Sequence, residues 1–221
     1  STPTCCKIYC DAGKEMKQVY GYWMPSTDEH FERLIAKRVR NGGPAEYQDD
    51  IREAAYNYVT DFDVCLDVGA NIGFWSKPLT TKFKKVIAFE PLEQVYSCLE
   101  RNVQSLNVEI HKVALGSKNS TVNMKYDSHN TGASHVIEGA GDINVRRLDD
   151  LDLPKFGLIK IDCERYELEI LKGAIDTLLK HKPIIVCEQH PDTEYCAGKF
   201  LKDHGAVELT NVRKDYVFGW L

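Results

Sequence analysis

Four short apolar runs each end on a carboxylate. Asp67 follows Val64-Cys65-Leu66, Glu90 follows Val86-Ile87-Ala88-Phe89, Asp162 follows Leu158-Ile159-Lys160-Ile161, and Glu188 follows Ile184-Ile185-Val186-Cys187. Runs of this length and continuity suit parallel strands buried on both faces, and ligands of such sheets sit at the carboxyl ends of the strands. Acids gathered on that rim can accept hydrogen bonds from a ribose diol, face a cationic group, or take a proton as general base.

The segment Asp67-Val68-Gly69-Ala70-Asn71-Ile72-Gly73 turns the first run into a glycine-punctuated loop. Its glycines allow a tight turn and close packing of a helix predicted to start near Asn71, whose positive end adds to the backbone N–H groups facing a ligand. The dinucleotide fingerprint places a glycine where Asn71 stands, so a pyrophosphate would be crowded. S-adenosylmethionine has no phosphate. It offers a ribose to Glu90, which lies roughly 20 residues past the glycines, and a cationic sulfonium and ammonium to Asp67. The other readings are an ordinary α/β turn with Asp67 as a helix cap, a nicotinamide-dependent oxidoreductase on the same sheet, and a cofactor-binding module without turnover.

Were the methyl of such a donor passed to a hydroxyl, as the family resemblance given below implies, the step would need alignment of acceptor, methyl and sulfur, worth effective molarities of about 10⁵ M, and removal of the hydroxyl proton. Asp162 and Glu164 are the candidate catalytic residues. Alternatively, Asp162 binds the cofactor's ammonium and Glu164 caps the next helix. Glu188 and His190 follow the next strand. Asn130, Ser134 and His135 lie in a polar segment that can close over a substrate. These residues and Arg165 make up the substrate-binding candidates, and an ion pair with a neighbouring acid is the competing role for Arg165. No metal site is expected: no acid cluster has ligand spacing, and Cys5, Cys6 and Cys10 lack a nearby fourth ligand.

The elements that must position these groups alternate. The spacing predicts helices from Ser26 (with Glu29 completing a capping box) to about Arg40, and from about Ala45 to Val59. Pro91 suits a first helical position, a strand is expected over Val108–Leu115, and one helix is marked by Leu168, Leu171, Ile175 and Leu178. A helical segment from Asp192 to His204 and a terminal hairpin between Val207 and Trp220 follow. Residues 116–147 read as a flap in which Thr121–Tyr126 pairs antiparallel with Ile143–Val145. The fold class is therefore α/β, a Rossmann-like doubly wound, mostly parallel sheet with helices on both faces. The 221 residues form one domain, with residues 1–60 as a two-helix N-terminal extension showing no sustained period before residue 25, and 61–221 as the cofactor-binding core.

A formal net charge of −5 argues against an extended nucleic-acid footprint, although Arg33, Lys37 and Arg40 share a helix face. A small-molecule acceptor is the expected partner. No apolar run approaches the roughly 20 residues a membrane span needs. The eight cysteines contain no C-x-x-C pair and read as reduced thiols, which points to the cytoplasm.

Several blocks together resemble the FkbM-like family of class I S-adenosylmethionine-dependent methyltransferases. They are Leu66–Gly73, Phe89-Glu90-Pro91, Leu148-Asp149-Asp150-Leu151, and Ile159-Lys160-Ile161-Asp162 with Glu164, Glu167, Leu171, Gly173 and Ala174. The resemblance implies a seven-stranded sheet ending in an antiparallel hairpin, and methyl transfer to a hydroxyl oxygen on sugars or other natural-product scaffolds. It implies that Asp67, Gly69 and Gly73 serve the methionine end and Glu90 the ribose, with Ala70, Asn71, Pro91 and Asp162 completing the cofactor-binding candidates. Asn130–Ser134 resembles a small-residue segment of family members. One departure is visible: the family's Asp-Val-Glu-Gly ends here on Arg165 instead of glycine.

Overall fold

A computed structural model describes residues 8–11, 14–137 and 139–220. The chain opens with an antiparallel sheet of β1 (Ile8–Asp11), β2 (Lys14–Val19) and β3 (Tyr22–Pro25), followed by α1 (His30–Arg40) and α2 (Asp49–Tyr56). Alternation then begins with β4 (Val64–Val68), α3 (Ser76–Leu79), β5 (Lys85–Phe89), α4 (Glu93–Asn102) and β6 (Val108–His111). A second small sheet collects β7 (Ala114–Leu115), β8 (Ser120–Lys125), β9 (His135–Ile137) and β10 (Ile143–Arg146). The chain closes with β11 (Leu158–Ile161), α5 (Glu167–Lys172), α6 (Ile175–His181), β12 (Ile184–Glu188), α7 (Cys196–Asp203), β13 (Ala206–Val212) and β14 (Asp215–Trp220).

The main sheet has seven strands in the order β13-β14-β12-β11-β4-β5-β6. Strands β12, β11, β4, β5 and β6 run parallel, and β14 and β13 close the edge as an antiparallel hairpin. The order grows outward in both directions from the β4–β11 pair. That reversal opens a crevice at the carboxyl ends of these two strands, where ligands of doubly wound sheets bind.

Side-chain alternation explains why the strands read as continuous apolar runs. Leu66, Val68, Ile159, Ile161, Ile185 and Cys187 pack on one face with Leu171 of α5, Leu178 of α6 and Leu201 of α7. Cys65, Leu158 and Val186 pack on the other with Ile51 and Ala55 of α2 and Leu79 of α3. No helix among the described residues is long and apolar enough to cross a membrane.

Several boundaries differ from the sequence expectation. The first segment, without period in sequence, forms the β1–β3 sheet. Helix α1 starts at His30 because Ser26 completes β3's pairing, its N–H donating to Glu15 O at 3.0 Å, while Asp28 Oδ1 accepts the Phe31 N–H at 3.0 Å. Gln48 is left-handed at φ +50°, which delays α2 to Asp49. Residues 71–75 are turns, not helix, since Asn71 (φ +52°) and Gly73 (φ +95°) interrupt helical geometry. Pro91 precedes α4, which begins at Glu93. The expected strand Val108–Leu115 splits, and β7 leaves the main sheet to run parallel with β10. The helix expected across Leu168–Leu178 breaks between α5 and α6: a Cβ on Gly173 would lie 1.9 Å from Gly116 O, so this backbone contact is open only to glycine. Left-handed Glu194 and Tyr195 delay α7 to Cys196. The flap pairing stands as expected, with Val122 opposite Ile143. Cys5 and Cys6 lie outside the described residues, as does the side chain of Cys10.

Candidate active site

The loop after β4 lies directly on the loop after β11. Gly69 has φ +73°, its N–H donates to Phe89 O at 3.1 Å, and a Cβ there would stand 2.1 Å from Asp162 O. A side chain at this position would fill the cradle between the two strand ends. Glu90, at the end of β5, receives the N–H of Asn71 on Oε2 at 3.0 Å and that of Leu92 on Oε1 at 2.9 Å. Burial pushes its carboxyl up to about 7, against the pull of those two N–H groups.

Glu90 edges a cavity whose apolar walls include Phe89, Leu92, Val113, Leu115, Met124, Val136 and Ile170. Gly69, Asn71, Pro91, Ser134, Asp162 and Glu164 line its polar parts. A smaller chamber continues from it past Gly69, Ala70, Asn71, Asp162 and Glu164 to Phe31, Tyr47 and Lys160. An apolar slot with a few converging polar groups has the form of a small-molecule site.

Asp67 and Gly73 stand elsewhere. Asp67 is fully buried behind the loop, accepts the Ser76 hydroxyl at 2.5 Å and ion-pairs with Lys160 at 3.3 Å. Lys160 also donates to Gly69 O at 2.7 Å. Burial works against the Lys160 ammonium, yet the charges of Asp67 and Asp162 hold it above the ordinary lysine value. Asp67 therefore braces the glycine loop through Lys160 and does not line the cavity. Gly73 lets α4 approach, a Cβ there falling 3.0 Å from Leu99 Cδ1.

Beyond β11 the backbone is left-handed at two consecutive residues, Glu164 (φ +48°) and Arg165 (φ +76°). The second is the family's glycine position, and the conformation explains the glycine. The Arg165 side chain is exposed and donates from Nε to Asp192 at 2.8 Å. Glu167, not Glu164, accepts the loop's Cys163 N–H, at 2.8 Å. Glu164 lines the cavity with Arg165 Nη1 3.9 Å from its Oε2, and burial, then the charges of Glu188 and Asp162, raise its carboxyl to about 7.

Glu188 is buried, pairs with Lys214, and lies 2.8 Å from His190 Nε2. Ligand atoms of Glu164, Glu188 and His190 fall within 4.8 Å of one another, an arrangement missing from the sequence expectation because the residues leave two different strands. The Lys214 ammonium supplies positive charge to this group.

The flap is tied to both neighbours. The buried Asp28 carboxylate accepts the Thr131 N–H at 3.0 Å and its hydroxyl at 2.7 Å, and Thr131 Oγ1 lies 3.2 Å from Asn71 Oδ1. Gly132 packs under the Phe31 ring, where a Cβ would be 2.9 Å from Cζ. Ser134 Oγ accepts the Asp127 N–H at 3.0 Å and lines the cavity. Asn130 Oδ1 is buried without a hydrogen-bond partner, and His135 Nδ1 lies 2.9 Å from Ala133 O. Sequence reasoning gave no site role to Asp28, Phe31, Tyr47 and Lys160, and took Thr131 only as part of the Asn130–Ser134 segment. Only Lys160 carried a signal, a lysine inside an otherwise apolar strand.

A family model for the methyltransferase FkbM domain matches residues 67–217. The chain belongs to the FkbM methyltransferase family. The family is S-adenosylmethionine-dependent, in keeping with the cradle at Gly69 and the acid at Glu90. Among relatives of the FkbM chain, the hexuronic acid methyltransferase AglP of Haloferax volcanii is 26% identical over 177 residues, 76% of this chain and 72% of that protein. Methyltransferase 1 of Beauveria bassiana is 24% identical over 192 residues, 71% of this chain and 76% of the relative. The crystal structure of methyltransferase FkbM from Methylobacillus flagellatus superposes with a TM-score of 0.45 at 21% identity, covering 72% of this chain and 43% of the other.

Proposed function

We propose that this FkbM-family methyltransferase binds S-adenosylmethionine in the cavity between β4, β5 and β11 and methylates a hydroxyl oxygen of a sugar or other small molecule. One observation carries the reading: Glu90, fixed by two backbone N–H groups, edges an apolar slot whose other end is lined by Asp162 and Glu164. The bound cofactor supplies an electrophilic methyl on a sulfonium. Glu90 accepts from the ribose hydroxyls, Gly69 allows close backbone approach, and Asp162 presents negative charge to the cationic end.

Glu164 Oε takes the acceptor's hydroxyl proton, since a carboxyl held near 7 is matched to proton transfer at neutral pH. Thr131, Gly132 and Ser134 cover the cavity and exclude water. The hexuronic acid methyltransferase among the relatives supports a sugar acceptor. The whole chain acts as one unit, because Asp28 of the N-terminal segment holds the flap. Buried thiols such as Cys65 and Cys187 support a reducing, cytoplasmic setting.

Calorimetric titration tests the reading. S-adenosylmethionine and S-adenosylhomocysteine should both bind, and Glu90→Ala should lose most of that affinity. A wild-type protein that binds neither would sink it.

A further inference from the structure

Past the inner chamber, on the far side of Tyr47, lies a second and larger cleft of about 400 Å³. Lys37 and Arg38 of α1 and Arg213 and Lys214 of the β13–β14 turn line it, together with Gln48 and Asp215. Residues about 175 positions apart in sequence thus bring four cations to one concavity in a chain of net charge −5. Tyr47 lines both this cleft and the chamber that holds Asp162 and Glu164.

The cations keep capacity for a ligand. Arg38 pairs with Asp49 at 2.6 Å, but its Nε–H is buried with no acceptor in the protein. A buried, unanswered guanidinium N–H is costly, and an incoming oxyanion answers it. Arg213 pairs with Asp50 at 2.7 and 3.0 Å, a contact open to solvent and readily shared. Among the described residues, Lys37 has no acid within ion-pair distance. Asp215 is the acid of the lining. Its carboxylate accepts from Gln48 Nε2 at 3.3 Å, and burial with the charges of Asp162 and Glu188 raises it to about 7, so it opposes an anion only in part.

We propose that this cleft holds a carboxylate or phosphate carried by the methyl acceptor, so that Lys37, Arg38 and Arg213 grip the anion while the acceptor's hydroxyl reaches past Tyr47 to Glu164. The proposal rests on the methyl-transfer reading and adds to it the charge of the substrate. Lys214, paired with Glu188, joins the two compartments.

The test is titration of the full chain, saturated with S-adenosylhomocysteine, with D-glucuronate, D-glucose 1-phosphate and D-glucose. At least one charged sugar should bind about tenfold or more tightly than glucose, the scale of a charge-assisted contact, and the tighter of the two tells carboxylate from phosphate. Lys37→Gln with Arg213→Gln should abolish the preference while leaving S-adenosylhomocysteine affinity unchanged. Lys37→Gln alone, at an exposed residue, should halve the preference or more without touching the fold. Equal binding of all three sugars, no binding of either charged sugar, or a preference that survives the double variant overturns the proposal. Failure to bind S-adenosylhomocysteine strikes instead at the methyl-transfer reading, so the two failures are distinct.

Discussion

On one side of Tyr47, Asp162, Glu164 and Glu188 crowd the strand ends, with Asp215 close enough to feel their charge; on the other, Lys37, Arg38, Arg213 and Lys214 ring an open cleft. On the acidic side, burial and then the charges of Glu188 and Asp162 lift Glu164 to about 7. On the basic side, charges rest in exposed pairs such as Arg213 with Asp50. Opposite fields a few side chains apart can sort opposite ligands, and on the proposed function the cationic methyl donor goes with the carboxylates and the proposed anionic acceptor with the guanidinium groups. On that proposal, the same crowding that favours the donor also suits a carboxylate to accept a proton.

The sharpest way to disturb the acidic side is Lys160→Met. It leaves Asp67 buried beside Ser76 alone, and removing one partner of a buried pair costs about 3–5 kcal/mol, so urea unfolding should shift by that amount. A much smaller loss would mean that Asp67 is neutralised by something other than Lys160.

Glu164→Gln should lower turnover by about 100-fold or more while S-adenosylhomocysteine binds nearly as before, the range of general-base catalysis. Retained turnover, read as S-adenosylhomocysteine release with a sugar acceptor, would move the base to another carboxylate.

Stability should also respond to pH. Glu90, Glu164 and Glu167 sit at about 7 in the fold, whereas an unfolded glutamate titrates at about 4.3. Between those values the folded state holds more protons, so stability should fall as pH rises from about 4.3 to 7. Unfolding free energies measured at several pH values check this, and Glu90→Gln should flatten the slope. Acids with lowered values, Asp50, Glu109 and Glu169, contribute the opposite sign, but only at more acidic pH.

The mildest change is Arg165→Gly. It removes an exposed ion pair with Asp192 and a 3.9 Å contact with Glu164, and relieves a left-handed arginine at about 1–2 kcal/mol. A thermal midpoint unchanged or slightly raised is expected; a large drop would show that Arg165 does more than make these two contacts.

Much of the fold was legible because local rules and burial agree there. Apolar runs ending in Asp67, Glu90, Asp162 and Glu188 gave the parallel strands, and the flap pairing of Val122 with Ile143 followed from alternation. Helix starts were misplaced where a left-handed residue intervened, as at Gln48, Asn71 and Glu194, since a positive φ outside glycine leaves little trace in the sequence. Segment 14–25 read as featureless because its strands bury a mixture of residues against α4 and not a regular alternation.

The amino-acid sequence by itself determined the sheet, the cradle at Gly69 and the acid at Glu90, because each depends on a short stretch whose backbone needs are written in residue type. Tertiary structure alone decided which acids are spent and which remain available. Asp67 is taken by Lys160 and Ser76, while Glu164 is left facing the cavity because Glu167 takes the N–H of Cys163. It also decided the charge of the outer cleft, since α1 and the β13–β14 turn meet only when the chain has folded. Electrostatics depends on distance in space and on exclusion of water, and neither is carried by separation along the chain.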